Sequence, residues 1–178
     1  MRVPFGVLMK NYPSNRVVSR DTLFQQIGWD DLIKNSDYGN TCAIRVSLAL
    51  IRSGITIPGG RIPIRTGALK GKMIEPGQAK LSMILSRPTM LGKPEKLSGS
   101  GMIEDVGHRS GIVSFFRLSP GIYEGGHIDI VAPQLGGMQV CGSACYWTSK
   151  EVWFWPLRRS NQPLPANYFD TEATGRQR

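Results

Sequence analysis

The chain is short of the side chains that metal and acid–base chemistry draw on: 178 residues hold only 2 histidines and 3 cysteines. A zinc site would have to recruit both histidines and Cys141 with Cys145, and those four residues show no recognisable zinc spacing. No cofactor or metal is therefore expected. Long apolar runs are lacking too. No stretch approaches the roughly 20 residues of a membrane-spanning helix, which argues against membrane insertion. The opening segment MRVPFGVLMKNYPSN lacks the uninterrupted apolar core of a secretory signal, so the expected product is made in the cytoplasm without an ordinary export label. Internal repeats and low-complexity tracts are absent. Acids are scarce, with 13 Asp+Glu against 22 Lys+Arg and a net charge of +9. That sign favours anionic partners such as nucleic acid, an acidic protein or a wall polymer. The basic residues are scattered instead of forming a tract, which weighs against nucleic acid.

What is present is enough for a real core: 40% of residues are apolar, and 21 Gly with 12 Pro point to many turns. The expected class is α+β, with residues 1–158 as one domain and the polar, aperiodic 159–178 as a tail. Residues 20–35 show helical spacing interrupted by Gly28. Residues 42–53 place Ile44, Leu48 and Ile51 on one stripe, with Arg45 and Arg52 outside it. Asn40 or Thr41 can cap this helix, and Gly54 can end it. A third helix is expected over 76–86, while 55–72 and 92–110 read as loops. The second half reads as strands: 112–118, the alternating HIDIV at 127–131, a turn at 135–138 with a return through Val140 and Cys141, and 152–157. The layout is helices first, packed on a C-terminal antiparallel sheet. Trp147, Trp153 and Trp155 read as sheet-face packing.

Cys42 stands at the first turn of a helix. There the unpaired N–H groups and the positive end of the dipole favour a thiolate, and the Cys42 backbone N–H can hold an oxyanion. Most lone helical cysteines only pack, so a base is needed to make it a nucleophile. His108 lies in a loop and reads as solvated. His127 opens a strand behind two glycines, shares a face with Asp129 and lies opposite Ile128 and Ile130. A thiol on a helix start and a histidine on a strand is the general layout of papain-like thiol hydrolases. The CGSAC segment at 141–145 admits zinc, a redox pair or a disulfide. A short disulfide pinning the loop is preferred, and it requires an oxidising compartment.

NYP at 11–13, NTCAIRVSLAL at 40–50, GQAKLSMIL at 77–85, SGIVSFF at 110–116, GGHIDI at 125–130, CY at 145–146 and VWFWPL at 152–157 together resemble the type VI secretion amidase effectors, fourth family. The resemblance spans roughly Phe5 to Leu157. It implies a papain-like amidase injected into the periplasm of rival bacteria, where it cuts peptidoglycan stem peptides between D-glutamate and meso-diaminopimelate. It also implies Cys42 as nucleophile, His127 as base, the type VI secretion machinery as carrier and a cognate immunity protein as partner. Injection without a signal peptide reconciles a cytoplasmic origin with an oxidised Cys141–Cys145 pair.

The chain departs from the family it resembles at one point. The family's third catalytic residue is an aspartate between the paired cysteines, and here that interval is Gly142-Ser143-Ala144. Asp129 is a replacement, although residues two apart on one strand face stand about 6 to 7 Å apart, which puts direct reach to the imidazole in question. Ser143 and Gln139 are the alternatives. A shell that has lost its acid and only binds wall or an acidic protein is the competing reading. Arg45, Arg61 and Arg65 are candidates to line the groove, with solvated surface the preferred reading for each.

Overall fold

The computed structural model describes residues 3–118, 125–134 and 138–158. Two short α-helices open the chain, α1 (Phe5–Lys10) and α2 (Arg20–Ile27). Ser19 caps α2 by accepting the Thr22 N–H, and Gly28 ends it at φ 74°. The helical pattern of residues 20–35 therefore breaks at Gly28, the left-handed position that a side chain resists. Two single 3-10 turns, Asp30–Leu32 and Ser36–Tyr38, lead to the central helix α3 (Cys42–Arg52).

Every residue of α3 from Cys42 to Ile51 is buried, Arg45 included. The expectation of a solvated Arg45 is corrected here: the segment after α1 covers the helix face on which a wheel places it. Beyond α3, the stretch 55–72 expected as loop holds β1 (Ile62–Pro63), which pairs antiparallel with β2 (Met73–Ile74) just past it. Glu75 follows it, fully buried. Its carboxylate accepts two hydrogen bonds from Arg61 and one from the Gly77 N–H, which fixes the entry into α4 (Gln78–Leu85). Arg61 is thus an ion-pair partner, and the exposed Arg65 pairs with Asp31.

The second expected loop, 92–110, contains β3 (Glu95–Leu97) and α5 (Met102–Val106). The remaining strands are β4 (Ser110–Phe116), β5 (Gly126–Pro133), β6 (Gln139–Cys141) and β7 (Glu151–Leu157). They form one antiparallel sheet in the order β3-β7-β4-β5-β6. The turn expected at 135–138 falls largely, and the tail at 159–178 wholly, outside the described residues.

Apolar residues cover both faces of this sheet. Ile112, Ile128, Ile130 and Trp155 join the helices in the main core, while Val113, Phe115, Val131, Val152 and Phe154 pack with Met102 and Val106. That explains why β5 is buried at every position and not at alternate ones. Trp155 and Trp153 are packing residues, as expected, and Trp147 lies edge-on to Phe115. Gly111 is required in β4: a Cβ there would stand 2.1 Å from the Trp155 carbonyl oxygen.

Candidate active site

The start of α3 and the start of β5 meet through Asn40. Its Oδ1 accepts the Cys42 N–H at 3.1 Å, and its Nδ2 donates to the Gly126 carbonyl at 3.4 Å. Thr41 holds the N-cap position but its hydroxyl accepts from Arg45 Nε, so the acceptor for the first helical N–H is the Asn40 side chain. The N–H expected to serve an oxyanion is held by Asn40 in this arrangement, so an oxyanion must share or displace that bond.

Cys42 is a free thiol, 6% exposed, at the mouth of a cavity of about 240 Å³ that Asn40, Arg45, His127, Ser143 and Tyr146 also line. A larger cavity, about 340 Å³, lies between Val3, Leu91 and Trp155, and neither a thiol nor an imidazole lines it. The smaller cavity is the one with chemistry in it.

His127 lines the same cavity as Cys42 and is hydrogen-bonded to Asp129 behind it. Its Nε2 lies 3.2 Å from Asp129 Oδ2 and 3.2 Å from Ser143 Oγ. Ser143 Oγ–H donates to Asp129 Oδ2 at 2.6 Å, so the His127 Nε2–H is shared between that carboxylate and the serine oxygen. This assignment of protons leaves Nδ1 as the nitrogen that faces the thiol. The Phe115 ring stacks on the imidazole and the Tyr146 ring meets it edge-on, with centroids 6.2 and 5.0 Å away.

Asp129 has no solvent exposure, yet it stays charged. Burial would raise its pKa, and the bonds from His127 and Ser143 hold it below the ordinary carboxylate value. The loop after β6 supplies the rest of its shell: the Ser143 and Ala144 N–H groups donate to Oδ2 at 2.8 and 3.2 Å, and the Ile130 N–H donates to Oδ1 at 2.8 Å. Cys141 and Cys145 close that loop as a disulfide. For His127, burial would lower the pKa, but Asp129 and Cys42 outweigh it and raise it to about 9. The imidazolium is therefore the resting form at neutral pH.

The sequence-predicted residues Cys42, His127, Asp129 and Ser143 converge in this way. Gln139 does not: its amide donates to the carbonyls of Gly107 and Arg109. Strand spacing had put direct reach of Asp129 in question, yet adjacent side chains on one face close the gap by leaning together. His108 is exposed. Tyr12 is a neighbour of the site with no role assigned from sequence, Asn40 was read only as a helix cap, and Arg45 lines the cavity although solvated surface was the preferred reading. Burial, then Asp129, push the Tyr12 phenol well above its usual pKa, so it stays neutral. Gly142 lets the Tyr12 ring approach: a Cβ there would meet Tyr12 Cε1 at 2.5 Å and Asp129 Oδ1 at 2.8 Å. The signals for these residues were NYP at 11–13 and an asparagine two positions before the thiol.

A helix opening on a free thiol, packed on an antiparallel sheet that presents a histidine, has the papain-like architecture. Residues 38–155 match the family of type VI secretion system (T6SS) amidase effector protein 4, Tae4, and the chain belongs to that family. Among solved structures, Tae4 from Enterobacter cloacae superposes with a TM-score of 0.67 over 89% of this chain and 98% of that one, at 20% identity. The Tae4-Tai4 effector-immunity complex from Salmonella Typhimurium gives 0.67 over 88% and 99%, at 18% identity. No curated protein sequence matches significantly.

Proposed function

We propose that the chain hydrolyses the γ-D-glutamyl–meso-diaminopimelate bond of peptidoglycan stem peptides by thiol catalysis. The observation that carries this reading is Cys42 and His127 lining one cavity, with Asp129 buried behind the imidazole at 3.2 Å. The reactive form is the ion pair in which His127 already holds the proton of Cys42, and the thiolate attacks the γ-carbonyl carbon to form a C–S bond and an oxyanion. The Cys42 N–H, released from Asn40, donates to that oxyanion. Collapse breaks the C–N bond as His127 protonates the departing diaminopimelate amine. Water, deprotonated by His127, then cleaves the thioester and frees Cys42. Asp129 and Ser143 orient the imidazole by accepting its Nε2–H. No cofactor enters the reaction.

Injection by the type VI machinery into the periplasm of target cells follows the family, as does a cognate immunity protein: the solved relatives include effector-immunity complexes with Tai4. Residues 1–158 would be the amidase domain. The net charge of +9 suits a polymer that bears stem carboxylates. The binding-module reading rested on a missing acid, and Asp129 at 3.2 Å from the imidazole favours the enzyme instead.

The test is to incubate oxidised protein with meso-diaminopimelate muropeptides and resolve the products by mass spectrometry, with Cys42→Ala in parallel. Cleavage between D-glutamate and diaminopimelate, lost in the variant, is expected. Intact muropeptides with well-folded protein would refute the reading.

A further inference from the structure

Arg45 lies one turn along α3 from Cys42 and lines the same cavity, yet only 2% of it is exposed. Its Nε donates to Thr41 Oγ1 at 2.9 Å, and its Nη1 donates to the carbonyls of Pro13 at 2.6 Å and Val18 at 2.9 Å. Those two carbonyls bracket the segment that brings Asn15 to the cavity wall. Among the described residues no carboxylate forms an ion pair with it. A guanidinium so deeply placed without a contacting acid is disfavoured unless opposite charge lies nearby.

The opposite charge is in the active site. Of the groups that act on Arg45, Tyr12 is neutral, which leaves Asp129 and Cys42 as the opposite charge. We propose that Arg45 is a positioning residue of the amidase site: it fixes the 13–18 wall against α3 and supplies the positive charge that balances the reactive ionic form. In that form Cys42 and Asp129 are anions and His127 is a cation, a set that carries one excess negative charge without Arg45 and none with it. The other titratable groups at the cavity leave this balance intact. Tyr12 is neutral, Tyr146 lies edge-on to the imidazole, and Arg20 is partly exposed, held by the carbonyls of Ile33, Asn35 and Tyr38 and offset by Asp21 at 3.6 Å.

The proposal rests on Cys42 being the nucleophile, so its test reads the thiol directly. Cys141 and Cys145 are bonded to each other, which leaves Cys42 as the one thiol open to iodoacetamide. The rate of alkylation against pH, on protein shown to be folded by circular dichroism, reports the thiolate. Arg45→Gln keeps hydrogen-bond donors but removes the charge, and the alkylation midpoint should rise by about one pH unit, with kcat/KM down about tenfold. Arg45→Lys keeps the charge but cannot span three acceptors. It should hold the wild-type midpoint while KM for muropeptides rises several-fold.

A folded Arg45→Gln protein with the wild-type alkylation profile overturns the proposal while leaving the amidase intact. Should Arg45→Gln not fold, a raised midpoint in Arg45→Lys with unchanged KM overturns it equally. Wild-type protein that spares muropeptides and alkylates only in the ordinary thiol range overturns the amidase reading and this proposal with it.

Discussion

Ser143 Oγ stands 2.6 Å from Asp129 Oδ2, and the same carboxylate oxygen also receives the Ser143 and Ala144 N–H groups. A serine in the loop between two cysteines thus anchors an acid that arrives from the neighbouring strand. In this chain the acid beside the imidazole is on β5 and the loop contributes a hydroxyl.

Asp129→Asn should therefore cost kcat about 10² to 10⁴, because an amide can present its N–H to Nε2 and stabilise the wrong tautomer. Ser143→Ala leaves the backbone donors in place, and its loss should be about tenfold, the worth of one hydrogen bond to a charged group. Steady-state cleavage of a stem tetrapeptide by both variants measures this. Equal losses would contradict the order of the roles.

Stability should fall as pH rises from about 6.5 to about 9. His127 is raised from its usual value to about 9 in the fold, with burial opposing and Asp129 and Cys42 driving the rise. The folded state therefore holds that proton more tightly than the unfolded chain, an advantage complete below the unfolded pKa and lost as pH passes the folded one. The loss is on the order of 3 kcal/mol across the window. Asp129 shifts the opposite way, so its contribution holds above its unfolded pKa and fails only in acid. Urea midpoints at pH 6 and pH 9.5 for wild type and His127→Gln would show it: the wild-type decline should shrink in the variant.

Gly142→Ala and Gly111→Ala should separate stability from catalysis. Both add a Cβ where none fits, against Tyr12 and Asp129 in one case and the Trp155 carbonyl in the other. Each should destabilise by about 1–3 kcal/mol. Only Gly142→Ala pushes on the carboxylate, so only it should lower kcat of the folded fraction. Thermal melts paired with turnover at a temperature where both variants are folded would decide.

Reducing the Cys141–Cys145 bond should lower kcat before it unfolds the protein. The closed loop is short, so its entropic contribution is about 2 kcal/mol. Its N–H groups, however, are those that hold Asp129. Turnover of a Cys141→Ser/Cys145→Ser variant, with its melting temperature, tests this; full activity would show that the loop keeps its shape unaided.

Legibility in the sequence followed the length of the signal. α3 and the strands around HIDIV and VWFWPL carry enough periodic or branched residues to be read directly. β1, β2 and β3 are two or three residues long and α1 and α5 five or six, too short for any period to register. Cys42 and His127 were legible because a thiol at a helix start and a histidine behind two glycines are unusual. The burial of Arg45 was not legible, because a helical wheel cannot see the 13–18 segment that covers it, whereas its place on the groove was among the readings the sequence allowed. Asp129 was doubted because backbone spacing says nothing of how two side chains lean.

The parts of the site come from distant stretches of chain. Asn40 bonds to Gly126 across 86 positions, and Ser14 Oγ bonds to the Gly142 carbonyl across 128. Contacts of such span form late in folding, after the local helices and hairpins. Until β5 settles against α3, Cys42 has no imidazole beside it and reacts as any other thiol. The grouping of Cys42, His127 and Asp129 is thus a property of the finished tertiary structure, and a chain held unfolded does not possess it.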